Sequence, residues 1–273
     1  MKRHSVTLYA ALAVFIAVNF FPFFWTVLSS LKPATQLFAI NPPLWPRAFS
    51  WENYWAIFAE RHFQVNIINS LVVAGGASFF CVALGSLAAY ALARLTFRGK
   101  TLLLGGILVI SLFPPVALVS PLFLFFRKVG FINTYQALIL SYLTFGLPLT
   151  IWLLTAFFRQ IPWELEEAAH MDGAGTWQVF WHVSLPLAAP GVFTAAILTF
   201  IYCWNEFLFA LAFTTNDQAR TIPVAIVMFS GYHTTPWGQI LAAVTVVTLP
   251  VALMVLILQR RIIAGLTAGA LKG

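Results

Sequence analysis

ELEEAAHMDGAGTWQVFWHVSLPLAAPG, residues 164–191, holds Glu164, Glu166, Glu167 and Asp172 within nine positions, half of the chain's 8 acidic residues. Pro162 just inside a helix start, followed by glutamates in the first turn, spells a helix N-terminus. Ala168 and Ala169 leave one face of that helix nearly bare, so a second surface can approach it closely. Gly173 and Gly175 end the helix, and Thr176 caps a second, short one. On this second piece Trp177, Phe180 and Trp181 fall at i, i+3 and i+4, an apolar stripe. The pattern is helix, turn, helix, polar at one end and flanked by membrane-length segments. It reads as a docking knuckle rather than a core.

Composition agrees with membrane-length flanks. The 273 residues are 61% hydrophobic and 8% charged, with a mean hydropathy of +0.89. A soluble domain carries roughly 25% charge, so the chain reads as an all-α integral membrane protein. A net charge of +7 raises nucleic-acid binding, but the basic residues lie singly or in small groups between apolar runs, with no basic stripe. Positive-inside bias explains them. Cys81 and Cys203 both fall inside apolar runs and read as buried small residues.

Outward from the knuckle, spans are expected at 8–31, 67–93, 101–126, 135–158, 187–213 and 238–258. The first lacks the short apolar core and cleavage site of a signal peptide. Residues 32–66, with four prolines and Trp45, Trp51, Tyr54, Trp55 and Phe58, suit the membrane interface. Pro114, Pro115 and Pro121 predict a break near the middle of the third span, lining a pathway or serving as a plain kink. Gly146 and Pro148 mark a second weak point in the fourth span. The apolar run at 221–230 is too short to span and reads as interfacial or core-packed. With both termini in the cytoplasm, the inside segments hold nine Lys or Arg over 53 residues and the outside segments six over 67. That topology leaves the loop 159–186 in the cytoplasm, although Arg127 and Lys128 oppose it.

Glu167-Ala168-Ala169, three residues, Gly173, nine residues, Val183, one residue and Leu185-Pro186 resemble the EAA motif of ABC importer permeases. Val183 stands where that family usually has Ile, a conservative departure. YALARLTFRGK, IPWELEEAAHMDGA, LPLAAPG and QRRIIAGLTAGALKG extend the resemblance over nearly the whole chain, to the smaller permease of maltose- and trehalose-type carbohydrate importers. NYWAIF and WNEFL are also similar to stretches of sugar permeases. The resemblance implies a single permease domain, 1–273, of the type I importer fold. It implies a second permease subunit, two copies of an ABC ATPase, an extracytoplasmic sugar-binding protein and a di- or oligosaccharide substrate. It further implies that the knuckle seats in a cleft of the ATPase, with Glu164, Glu167, Ala168, Ala169, Asp172, Gly173, Leu185 and Pro186 as coupling residues, and that the C-terminal tail meets the same subunit. No cofactor is expected in this chain, ATP and Mg being held by the partner ATPase. Gly99-Lys100-Thr101 looks like the end of a P-loop, but Arg94 occupies the first glycine position and no strand precedes it.

Aromatic faces and amide or hydroxyl groups suit a sugar, which makes Trp152, Tyr202, Trp204 and Asn205 candidates for the substrate pathway, each also readable as a packing or interfacial residue; Glu206 joins them as the acid inside a span. An ionised Glu206 at the bilayer centre costs about 2.5–3.5 kcal/mol, so it faces protein or water, or else lies near the outer surface. Two other classes compete. An ion-coupled secondary transporter needs carboxylates or histidines inside the membrane, and Glu206 alone qualifies. A membrane enzyme needs a nucleophile, base or metal set; no HExxH or serine–histidine pair at a useful spacing is present. No catalytic residue, metal site or nucleic-acid partner is expected, and the location is a bacterial-type cytoplasmic membrane.

Overall fold

The computed structural model describes residues 2–231 and 234–268, with side chains over 8–231 and 234–259. Among them the regular elements are all helical: α1 (Lys2–Ser30), α2 (Ala34–Leu37), α3 (Glu52–Ala59), α4 (Phe63–Arg94), α5 (Lys100–Ser111), α6 (Pro115–Val129) and α7 (Tyr135–Gln160). Then come α8 (Trp163–Met171), α9 (Thr176–Val179), a π-helical turn (Phe180–Ser184), α10 (Leu185–Leu187), α11 (Ala189–Trp204), α12 (Leu208–Phe213), α13 (Ile222–Val227) and α14 (Trp237–Ala268).

Among the described residues, uninterrupted apolar runs produce four single helices long and apolar enough to span, Leu8–Ser30, Phe63–Arg94, Tyr135–Gln160 and Trp237–Gln259. Two bent pairs bring the number to six if each pair is one crossing: α5 with α6, bent by 90°, and Thr176–Leu187 with α11, bent by 75°. The first bend falls where the prolines require it. Pro114 sits in the extended region and Pro115 opens α6, a position whose missing N–H costs nothing.

Two expectations change. Gly146 and Pro148 do not interrupt the fourth span, because α7 runs unbroken over 26 residues. Beside the proline the Thr150 hydroxyl donates to the Gly146 carbonyl at 2.9 Å and meets the Thr199 hydroxyl of α11 at 2.9 Å. The fifth span is not one helix over 187–213. It stops at Trp204, and a separate α12 begins at Leu208.

The chain forms two compact units, residues 1–65 with 225–252, and residues 66–224 with 253–273. In the first, the end of α1 is tied to the interfacial stretch: the hydroxyls of Ser30 and Tyr54 lie 2.6 Å apart, and Asn53 donates to the Ser30 and Lys32 carbonyls at 3.0 and 3.2 Å. Arg61 donates to Gln239 at 3.2 Å and lies over the Phe229 ring, which meets Phe63 edge-on. Lys32 is fully buried, its ammonium 4.1 Å from the centre of the Trp25 ring, and burial lowers its pKa.

The second unit packs α7 against α11 through small residues. A Cβ on Gly191 of α11 would come within 2.3 Å of the Phe157 ring on α7, and one on Gly146 of α7 within 3.3 Å of Thr199 Cγ2 on α11 and 2.7 Å of Cys81 Sγ on α4. Glycine at both positions leaves room for these side chains. Both cysteines are free and buried, as their sequence context implies. The irregular segment before α13 is satisfied by amides on α4: Asn66 donates to the Arg220 carbonyl at 3.0 Å, and Asn69 donates to the carbonyls of Gln218 and Arg220 at 3.1 and 3.0 Å. The run read as too short to span carries the six-residue α13, and the Ile222 N–H donates to Ser70 Oγ at 2.8 Å.

Candidate functional site

The knuckle folds as its residues dictate. Pro162 caps α8, and the glutamates of the first turn complement the positive end of that helix. At the other end the Ala174 N–H reaches back to the Ala169 carbonyl at 3.0 Å, and Gly173 adopts φ +86°. This is the left-handed turn that glycine adopts without steric cost. His170 Nδ1 sits 2.8 Å from the Ala174 carbonyl, and the Gly175 N–H donates to the Gln178 side chain at 2.8 Å. Gly175 therefore holds the cap position expected of Thr176, which is the first residue of α9.

The sequence-derived coupling residues divide by exposure. Glu164, Glu167, Ala168, Asp172 and Gly173 are exposed, Ala169 is half-buried, and Pro186 is exposed. Three carboxylates and a bare alanine face thus lie on one small, sharply turned surface. A cleft of about 390 Å³ lies beside them, lined by Ala169, Asp172, Gly173, Gln178, His182 and Val183 among others. Leu185 is half-buried against an apolar cluster of Ala89, Tyr90, Leu154, Phe158, Phe180, Ala188 and Ala195. The expected aromatic stripe splits: Phe180 plugs into this cluster, 5.1 Å from the Tyr90 ring, while Trp177 and Trp181 stay exposed. The π-helical turn at Phe180–Ser184 is where Phe180 and Ser184 both become buried.

Glu166 behaves unlike its neighbours. It is 1% exposed, and its carboxylate accepts from Arg94 Nε at 2.7 Å, Ser184 Oγ at 2.9 Å and the Tyr90 hydroxyl at 3.3 Å. Arg94 Nη2 also donates to the Ile161 carbonyl at 2.6 Å, and its guanidinium lies 5.7 Å from the Trp163 ring centre. Sequence reasoning counted Arg94 as a positive-inside charge and Glu166 as one of four knuckle acids. The fold singles Glu166 out: it precedes the half-buried Ala169 by three residues, on the face of α8 turned towards the protein.

The pathway candidates do not form one constellation through their described contacts. Trp152 is 51% and Tyr202 37% exposed, whereas Trp204 is 5% exposed and stacks on Phe200. Asn205 donates back to the Ile201 carbonyl at 2.7 Å. Glu206 accepts from the N–H groups of Phe209 and Ala210 at 2.9 and 3.2 Å, so from the position just before the N-cap residue Phe207 its carboxylate satisfies two free donors in the first turn of α12. The C-terminal tail, whose contact with an ATPase the resemblance implies, lies beyond the described side chains from residue 260 onward.

Comparison with known proteins agrees with this architecture. Residues 81–267 match the family described as binding-protein-dependent transport system inner membrane component. The chain is 46% identical to the trehalose transport system permease protein SugB of Mycobacterium tuberculosis, with both proteins covered over 100% of their length. It is 41% identical to the trehalose/maltose transport system permease protein MalG of Thermococcus litoralis, covering 100% of this chain and 98% of that protein. Among solved structures, a bacterial ABC transporter that imports the acidic polysaccharide alginate aligns with a TM-score of 0.82 over 95% of this chain and 96% of its own, at 20% identity. Six potential crossings, a helical fold shared with an importer and full-length relatives that are permeases lead to one conclusion: the chain belongs to the inner membrane components of binding-protein-dependent transport systems, as a permease subunit of the ABC importer class rather than an enzyme.

Proposed function

We propose that this chain is a membrane-spanning subunit of an ATP-driven importer of a di- or oligosaccharide, trehalose or maltose first among them, and that segment 159–186 is its lever. The names of the two trehalose and trehalose/maltose relatives support the substrate class. The observation that carries the lever is the division within α8: exposed Glu164 and Glu167 on the outer side, buried Glu166 on the inner. A surface braced from behind transmits a push, whereas a loose loop absorbs it. The complex would contain a second permease subunit, two copies of an ABC ATPase that bind ATP and Mg, and an extracytoplasmic sugar-binding protein. Both termini would lie in the cytoplasm, and ATP-driven closure of the ATPase pair would push on the knuckle and rock the spans between inward-open and outward-open states.

Glu167 and Asp172 offer acceptors to basic groups on the ATPase, and Ala168 with Ala169 allow close seating. Trp152, Tyr202, Trp204, Asn205 and Glu206 remain the candidates of this chain for lining the sugar's route. The test is uptake of labelled trehalose and maltose by liposomes containing the assembled complex. Uptake should require ATP and survive a protonophore, and Gly173→Asp should abolish it while the subunit still inserts and assembles. Uptake that collapses with the proton gradient at full ATP would instead favour an ion-coupled carrier.

A further inference from the structure

We propose that Arg94 and Glu166 are positioning residues that carry the movement of the knuckle into the membrane helices. The inference rests on the lever reading and deepens it. Arg94 is the last residue of α4, a 32-residue span. Its guanidinium holds Glu166 of α8 through Nε at 2.7 Å and the Ile161 carbonyl at the end of α7 through Nη2 at 2.6 Å. Glu166 in turn holds Ser184 of the π-helical turn at 2.9 Å and Tyr90 of α4 at 3.3 Å. One buried ion pair, with side chains 8% and 1% exposed, therefore joins two spanning helices, the knuckle helix and the turn leading into α11.

Retention alone does not call for charge at this point. Tyr90, Phe158 and Phe180 already pack the knuckle's base, and apolar side chains in place of a buried ion pair hold a fold at least as well. What apolar packing lacks is direction. An aromatic interface tolerates sliding, whereas a charge-assisted hydrogen bond at 2.7 Å fixes distance and angle together. With the Arg94–Glu166 pair in place, a displacement of α8 moves the end of α4. Without it, α8 slides over the aromatic cluster and the push is dissipated. Burial also keeps the pair out of reach of ionic screening.

The experiment uses the whole complex, both permeases, ATPase and binding protein, in liposomes, and reads sugar uptake per ATP hydrolysed. Arg94→Met with Glu166→Met removes the pair and leaves no orphan charge. This double variant should assemble and hydrolyse ATP, with uptake per ATP lowered about tenfold, a size ordinary for coupling between sites. Arg94→Lys keeps the charge and loses the fork that reaches Ile161, and should lower the same ratio by a smaller factor. Full uptake per ATP in the assembled double variant overturns the proposal. If the double variant fails to assemble, Arg94→Lys decides alone, and an unaltered ratio in that variant overturns it equally. Gly173→Asp separates the two readings. A transport-dead Gly173→Asp beside a fully coupled double variant refutes the clamp and leaves the lever standing, whereas a transport-competent Gly173→Asp removes the lever itself.

Discussion

Glu206 is the acidic residue that sequence reading placed within a span, and the structure makes its role measurable. Its two carboxylate oxygens accept from the Phe209 and Ala210 N–H groups, and those residues are only 1% and 0% exposed. Glu206→Ala leaves both donors without an acceptor where water does not replace it. Losing a helix cap costs about 0.5–2 kcal/mol, and an unsatisfied buried donor costs about 1–3 kcal/mol. The upper end of the cap range, about 2 kcal/mol, therefore applies, which for a chain of this size lowers Tm by about 4–8 °C. Glu206→Gln keeps one acceptor oxygen and should lose about half as much. The free, buried Cys81 and Cys203 supply the assay, since a thiol-reactive dye reports their exposure on unfolding. Uptake is measured on the same preparations. An unchanged Tm in Glu206→Ala would refute the capping argument. A Glu206→Gln variant that melts like wild type but transports nothing would move Glu206 from the helix end to the sugar's route.

Other positions give independent checks. Gly173 is held at φ +86° with open space around its Cβ position, so Gly173→Ala should cost about 1–2 kcal/mol, and Gly173→Asn, a residue that tolerates this conformation, should retain more uptake than Gly173→Ala. Gly191→Ala drives a methyl into the Phe157 ring and should destabilise by about 1–3 kcal/mol, while Gly105→Ala, with nothing within 4 Å, should be neutral or gain up to about 1 kcal/mol. Burial lowers the Lys32 pKa below 10.5, so the unfolded chain binds this proton more tightly and stability rises with pH between the folded value and 10.5. Lys32→Met should therefore be the more stable protein at neutral pH, with the difference shrinking as pH rises towards 10.5; a difference that grows instead would contradict the burial argument.

Much of the fold was legible because a lipid solvent imposes simple rules. Long apolar runs marked the spans, and paired Pro114 and Pro115 marked a break. Pro148 marked a weak point but no break: α7 runs through it uninterrupted, and beside it the Thr150 hydroxyl meets that of Thr199 on α11, 49 residues away in sequence. The break of the fifth span carried no such mark: Glu206 looked like a charge in need of water, whereas its carboxylate holds the first turn of the helix that follows the break. The knuckle's outline and its turn at Gly173 could be read from residue types at fixed offsets. Its bracing could not, since Arg94 and Glu166 are 72 residues apart and each has a bland local explanation.

The most direct test of the lever is the side from which the knuckle is reached. With Glu164→Cys in the full complex, a membrane-impermeant maleimide should label the new thiol in inside-out vesicles after the ATPase is stripped, and labelling should be blocked once the ATPase is restored. Labelling of Glu164→Cys from the outer face, or labelling that the ATPase leaves untouched, would contradict the account.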